Sequence, residues 1–169
     1  VVLHDLFEHL DFTERDDNTI QALIAAKLKT HGFEDRWAGA VYDMVRRVLE
    51  VPLTGEPDGL RLKWVPPADR LNELEFYFPL QRLSGSRLRE VFGLCLGSSQ
   101  DAAVPSAFER LQFRPLEGFM KGFMDLVFRF GERFYLVDWK SNFLGSRLDD
   151  YAQEALQKAM TEHFYHLQY

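Results

Sequence analysis

The sequence predicts an α/β domain in which a central mixed sheet is flanked by helices, and three observations carry that prediction. Residues 122–142 hold two runs rich in aromatic and β-branched residues that meet at Phe130-Gly131-Glu132-Arg133. A Gly-X pair between two such runs signals a two-residue hairpin. Leu74, Phe76, Phe78 and Leu80 alternate with Glu73, Glu75 and Tyr77, the pattern of a half-buried strand. Apolar residues at helical spacing lie before and after these segments.

Composition sets the bounds. A chain of 169 residues, 46% hydrophobic and 14% aromatic, is long enough for one domain with its own core and too apolar to be disordered. No run approaches the roughly 18 apolar residues of a membrane span, and the first residues lack the basic-then-apolar pattern of a signal peptide. A single cysteine, Cys95, excludes an internal disulfide and fits a reducing compartment, where it reads as a small buried hydrophobe. The formal net charge of −6 argues against a protein that coats nucleic acid by neutralising many phosphates. It leaves room for an enzyme acting on DNA, because a bound cation supplies local positive charge.

Taken in order, Leu3, Leu6, Phe7 and Leu10 recur at helical spacing and open the chain on an amphipathic helix. His4 flanks that stripe, and by its residue type alone it reads as a core-edge histidine. Asp16, Asp17 and Asn18 offer N-caps to a helix carrying Ile20, Leu23, Ile24 and Leu28, which Gly32 ends. A further helix runs from about Asp35 to Leu49 with Trp37, Val41, Met44, Val45 and Val48 inward and the basic pair Arg46-Arg47 on its solvated side. Residues 54–69 are rich in Pro and Gly and read as a loop. The strand that follows could pair with the hairpin as the third member of the mixed sheet, and Glu73 or Glu75 could then face a metal held there, although carboxylates on a strand's wet side are the commoner case. Ser84 or Ser86 caps a helix containing Leu88, Val91, Phe92 and Cys95, and residues 97–105 form a polar loop. The chain closes on a helix from about Ser146, with Leu148, Ala152, Ala155, Leu156, Ala159 and Met160 on one face. His163 and His166 are spaced by three but have no third ligand of matching spacing.

The hairpin is where chemistry concentrates. If Gly131 and Glu132 form the loop, Phe130 pairs with Arg133 and Asp125 falls opposite Asp138, with Cβ atoms roughly 4.5–5.5 Å apart. Lys140 projects from the same face as Asp138, because strand side chains alternate with period two. Two opposed carboxylates among apolar neighbours repel, and a hard divalent cation such as Mg²⁺ removes that cost while leaving positions open for a phosphate. An amine beside such an ion can hold an attacking water or a phosphate oxygen, so Asp-x-Lys here reads as metal-assisted phosphodiester hydrolysis. The plain alternative is that Asp138 and Lys140 merely end a strand at the surface.

These residues also resemble a family. The segments LHDLFEHLDF (Leu3 to Phe12), GFMKGFMDLVFRFGERFYLVDWKSNFLG (Gly118 to Gly145) and AMTEHFYHLQY (Ala159 to Tyr169) resemble the PD-(D/E)XK nucleases, and within them the C-terminal nuclease domain of the RecB family. The likeness covers about half the chain; between Pro52 and Gln112 only ELEFYFPL matches. It implies a restriction-endonuclease-like core and a single nuclease domain over residues 1–169, cut at both ends from a larger helicase-nuclease chain. It implies an Mg²⁺-dependent deoxyribonuclease, with Mn²⁺ or Ca²⁺ able to take the same site. The ligands it implies are His4, Asp125, Asp138 and the backbone carbonyl of Trp139. His4 matches a G-x-x-x-H element whose glycine would precede Val1. Asp138 and Lys140 are the catalytic pair, and Gln168 begins a Q-x-x-x-Y element that contacts DNA or supports the site. Further implications are the helicase portion of the same polypeptide, RecC-like and RecD-like subunits, DNA as substrate, no membrane and a bacterial cytoplasm. The runner-up is a nuclease-like module without catalysis that guides DNA or docks subunits.

Overall fold

A computed structural model of the chain describes residues 2–54, 56, 58–84, 87, 90 and 116–162. Among them the α/β class holds. Four α-helices, α1 (Val2–His9), α2 (Asp17–Thr30), α3 (Ala38–Glu50) and α4 (Gln153–Glu162), accompany three strands, β1 (Arg70–Leu83), β2 (Leu116–Phe130) and β3 (Arg133–Val137). The strands form one sheet in the order β1-β2-β3, so β2 is the middle strand. The described strands are antiparallel; a parallel member of the mixed sheet that the sequence predicts is not among the described residues. Pro79 lies in β1, an edge strand of this sheet, where a missing N–H is tolerated.

The helix signals act as their chemistry requires. The Asp16 carboxylate accepts the Asn18 N–H at the start of α2, satisfying one of the donors that a helix N-terminus leaves unpaired. Gly32, at φ +75°, takes the left-handed conformation that stops the chain from continuing as helix. The predicted third helix begins as a 3₁₀ turn, Asp35–Trp37, before α3 proper. Ser84 Oγ accepts the Arg87 N–H, the capping contact that its position suggests. The rest of that predicted helix, with Cys95 and the 97–105 loop, lies outside the described residues.

The structure divides into two compact units, one of Val1–Phe76 with Gly122–Ser141 and one of Tyr77–Lys121 with Asn142–Tyr169. The first holds the core. Leu6 and Phe7 of α1, Ile20, Ile24 and Leu28 of α2, and Val45 and Leu49 of α3 close over Leu126 and Phe128 of β2, with Tyr135, Val137 and Trp139 packed against the cluster. Alternation explains the choice of strand residues, since Leu126 and Phe128 share one face of β2. The stretch 54–69, which its Pro and Gly content marks as a loop, contributes more than a connection. Leu60, Leu62 and Val65 are buried in the same core, and 3₁₀ turns form at Leu62–Trp64 and Pro67–Asp69. Turn chemistry reports how the backbone bends there, not what its side chains bury.

In the second unit, Asp150 accepts the Arg147 N–H at 2.9 Å and the Tyr151 hydroxyl accepts the Leu144 N–H at 3.3 Å, leading the chain into α4. The Lys121 ammonium lies 5.6 Å from the centre of the Tyr77 ring. Among the described residues no helix is long and apolar enough to cross a membrane.

Gly122 on β2 shows why a strand of this kind tolerates glycine. A Cβ at that position would come within 2.4 Å of the Phe76 ring, which lies over the glycine backbone. Gly122→Val is expected to displace that ring and destabilise the domain by about 1–3 kcal/mol. A urea unfolding curve superposing on wild type would contradict this.

Candidate metal centre at the end of the hairpin

The hairpin forms with the predicted register. Phe130 pairs with Arg133, and the ladder continues through Arg129–Phe134, Phe128–Tyr135 and Val127–Leu136 to Leu126–Val137. Gly131 starts the turn at φ +61°, the conformation that a primed hairpin turn needs at its first position. The next pair in this register would be Asp125 with Asp138, but β3 ends at Val137 and the chain leaves the ladder there. Asp138 and Asp125 therefore have different partners. Asp138 forms an ion pair with Lys140, with both side chains about three-quarters buried. Asp125 Oδ2 accepts the Trp139 N–H at 2.6 Å and lies 3.5 Å from His4 Nδ1. The Asp125 carboxylate thus fastens the segment that carries Asp138 and Lys140.

His4 arrives on α1, whose position is set from both ends. The last carbonyls of a helix have no partner within it. Two such groups are used here: Arg70 Nη2 donates to the Leu10 carbonyl, and Asn72 Nδ2 donates to that of Glu8, binding the end of α1 to the start of β1. The Arg70 guanidinium also sits 3.7 Å from the centre of the Phe12 ring, and burial pulls its pKa down. On the opposite side Asp5 ties α1 to α2. Its carboxylate takes the Lys27 ammonium at 2.6 Å and His31 Nε2 at 2.8 Å.

The Lys27 hydrogen bond, followed by that of His31, holds the Asp5 carboxyl below its ordinary value of 3.8. A depressed carboxyl stabilises the fold above its unfolded pKa, and that stabilisation is lost as pH falls through the folded one. Asp5→Asn is expected to lower Tm at pH 7 by about 2–4 °C, the shift that about 1 kcal/mol gives a domain of this size. The gap should close as pH falls below 3.8. Melting curves at several pH values measure this, and a gap that widens in acid would contradict the assignment.

The site gains a group that alternation places elsewhere. Glu73 of β1 joins His4 and Asp125 in a cluster whose ligand atoms all lie within 4.8 Å of one another. Glu73 has φ +49°, a left-handed backbone in a strand and a conformation that costs a non-glycine residue of order 1–3 kcal/mol. It breaks the in-out alternation of β1, leaving Glu75 exposed and Glu73 part-buried. Burial, and then the Asp125 charge, raise the Glu73 carboxyl above its usual range. The signal in the sequence was the pair Glu73/Glu75 on a strand beside the hairpin; the backbone twist that selects Glu73 has no marker when the residue is not glycine.

An imidazole and two carboxylates converging in a part-buried site fit a hard or borderline divalent ion. Like charges brought this close, with one carboxyl biased toward its neutral form, are what a cation relieves. His4 and Asp125 are thus together with Glu73, while Asp138 and Lys140 are together one step beyond the ladder. The Trp139 N–H joins the two groups through Asp125. Gln168 lies outside the described residues, as do His163 and His166.

Comparison with known proteins gives this arrangement a lineage. The chain is 36% identical to RecBCD enzyme subunit RecB of Escherichia coli over 168 residues, covering 99% of this chain and 13% of that subunit. It is 34% identical to the RecB subunit of Haemophilus influenzae over 172 residues, again 99% of this chain and 13% of the subunit. For the RecB subunit of Mycolicibacterium smegmatis the figures are 32% over 168 residues, 86% of this chain and 16% of the subunit. No family model matches the chain. With near-complete coverage of its own length, and spanning 13% of the first two relatives, the chain belongs to the RecB family.

Proposed function

We propose that this chain is a metal-dependent deoxyribonuclease domain of a RecBCD-type helicase-nuclease, hydrolysing DNA phosphodiester bonds in double-strand-break repair and recombination. The observation that carries the reading is the convergence of His4, Glu73 and Asp125 beside the Asp138–Lys140 pair, in a chain of the RecB family. The residues that would hold Mg²⁺ are His4, Asp125, Asp138 and the Trp139 carbonyl, with Glu73 as a further carboxylate. Bound there, the ion supplies Lewis acidity to the scissile phosphate and to the attacking water.

The protein groups divide the remaining work. The Lys140 ammonium, positioned by its pair with Asp138, donates to the attacking water or to a phosphate oxygen and offsets charge developing on the phosphate. The His4 ring and the Trp139 N–H both meet Asp125 at Oδ2, so that oxygen is oriented before substrate arrives. Glu73 is biased toward its neutral form, and a cation beside it reverses that bias. The same reading includes a wider setting, supported by relatives that are subunits of a RecBCD enzyme: DNA as substrate, helicase domains on the same polypeptide, RecC-like and RecD-like partner subunits, and a bacterial cytoplasm. A nuclease-like module kept only to guide DNA or dock subunits is expected to lose a metal ligand or the lysine, and Asp125, Asp138 and Lys140 are all present.

The test is Mg²⁺-dependent DNA degradation by the full-length parent protein, compared with Asp138→Ala and Lys140→Ala. Lys140→Ala is expected to lower kcat about 10²–10³-fold, the cost of removing one positioned donor to a developing anion. Asp138→Ala should remove detectable cleavage. Unchanged digestion by both variants would reject the assignment.

A further inference from the structure

We propose that Phe7 and Trp139 form a positioning device that fixes the Asp138-Trp139-Lys140 segment against the helix bearing His4, although neither ring touches substrate. The proposal rests on the metal-nuclease reading above and adds residues that act through others.

The need for such a device comes from where the ladder stops. The β2–β3 ladder runs as far as Val137, so the next three residues lie beyond it. The Trp139 N–H donates to Asp125 Oδ2, which fixes one point of that segment. A hydrogen bond by itself leaves rotation about its own axis open. Rotation at Trp139 moves Asp138 and Lys140 together, because they flank it in sequence.

The side chain of Trp139 supplies a second point. Its indole stacks on the Phe7 ring with centroids 4.6 Å apart and planes 20° from parallel. Phe7 is buried and makes an edge contact with Phe12, 6.4 Å away, so one half of the stack is itself immobilised. Phe7 follows His4 by three residues on α1, a spacing that puts both on one helix face. A closed circuit results: His4 to Asp125, Asp125 to the Trp139 N–H, the Trp139 indole to Phe7, and Phe7 back along α1 to His4. Each member restrains the next. A ligand set drawn from a helix and from a segment beyond the β2–β3 ladder keeps its geometry only if the two are coupled, and here the coupling includes an aromatic stack.

The experiment uses the full-length parent protein and measures three quantities: the Mg²⁺ dependence of cleavage, kcat against KM for DNA, and Ca²⁺ binding by calorimetry. Phe7→Leu is expected to raise the Mg²⁺ concentration needed for cleavage about 10-fold and to lower kcat with KM for DNA unchanged, the scale found when the support of a metal ligand is removed. Trp139→Leu should do the same, and the double variant should be no worse than either single one, because both remove one interaction. Trp139→Phe, which keeps a stacking ring, should restore most of the loss. Losses that add in the double variant, or a wild-type Mg²⁺ requirement in Phe7→Leu, would overturn the positioning role. Should Phe7→Leu fail to fold, Trp139→Leu against Trp139→Phe makes the same decision, since equal Mg²⁺ dependence in both would overturn it. Absence of Mg²⁺-dependent cleavage and of Ca²⁺ binding in wild type would instead remove the nuclease reading itself, and the proposal with it.

Discussion

Asp125→Ala is expected to abolish both Ca²⁺ binding and Mg²⁺-dependent cleavage while the domain stays folded. The expectation is larger than for any neighbouring substitution because this carboxylate has two duties. It is a ligand atom of the His4–Glu73–Asp125 cluster, and it receives the Trp139 N–H that anchors the segment bearing Asp138 and Lys140. Removing it takes away a ligand and releases the catalytic pair at once. Stability responds less. The variant loses a charge-assisted hydrogen bond, a contribution of about 1.5–3 kcal/mol, and leaves a part-buried N–H without its acceptor. It also removes the Asp125 charge that, after burial, raises the Glu73 carboxyl, which offsets part of that loss. A net destabilisation of about 1 kcal/mol is therefore expected. Cleavage within tenfold of wild type would refute the placement of Asp125 at the metal, and outright unfolding would show its role to be structural.

Phe128→Ala is expected to carry the largest stability cost, about 3–5 kcal/mol, the range for removing a large aromatic side chain from a core. Phe128 lies on the middle strand, is 1% exposed, and stacks on its cross-strand partner Tyr135 with ring centroids 5.0 Å apart. It faces the helices at the centre of the core. It belongs to a cluster of buried apolar side chains, and a close-packed core refills such a space only in part. Because the hairpin sets the register that brings Asp125 to the site, activity should fall in step with the folded fraction. Urea unfolding measures the cost, and a loss under about 1 kcal/mol would show that the helices close over the sheet differently.

Much of this was legible in the residues because it depends on local rules. A Gly-X turn between two apolar runs fixes a register, and the register brought Asp125 to within one step of the ladder's end. Helical spacing and caps placed α1, α2 and α3, and His4 fell beside Asp125. What stayed hidden depends on the tertiary environment. The alternation of β1 pointed Glu73 outward with Glu75, and a left-handed backbone at one position turned it inward. No residue type announces such a twist except glycine. Leu60, Leu62 and Val65 sit among prolines and glycines that mark turns, yet they fill the core. Asp138 looked like the opposed partner of Asp125, but β3 stops one residue short and gives it Lys140. Where a ladder ends is decided by packing beyond the hairpin.

The groups of the candidate centre come from three stretches of chain far apart in sequence: the first helix, the edge strand and the first strand of the hairpin. None of these stretches can assemble a ligand set alone. A polypeptide still emerging from the ribosome holds His4 and Glu73 long before Asp125 is made. On the proposed nuclease reading, cutting power should therefore appear only with the completed fold, so that misfolded or half-synthesised copies carry no assembled centre.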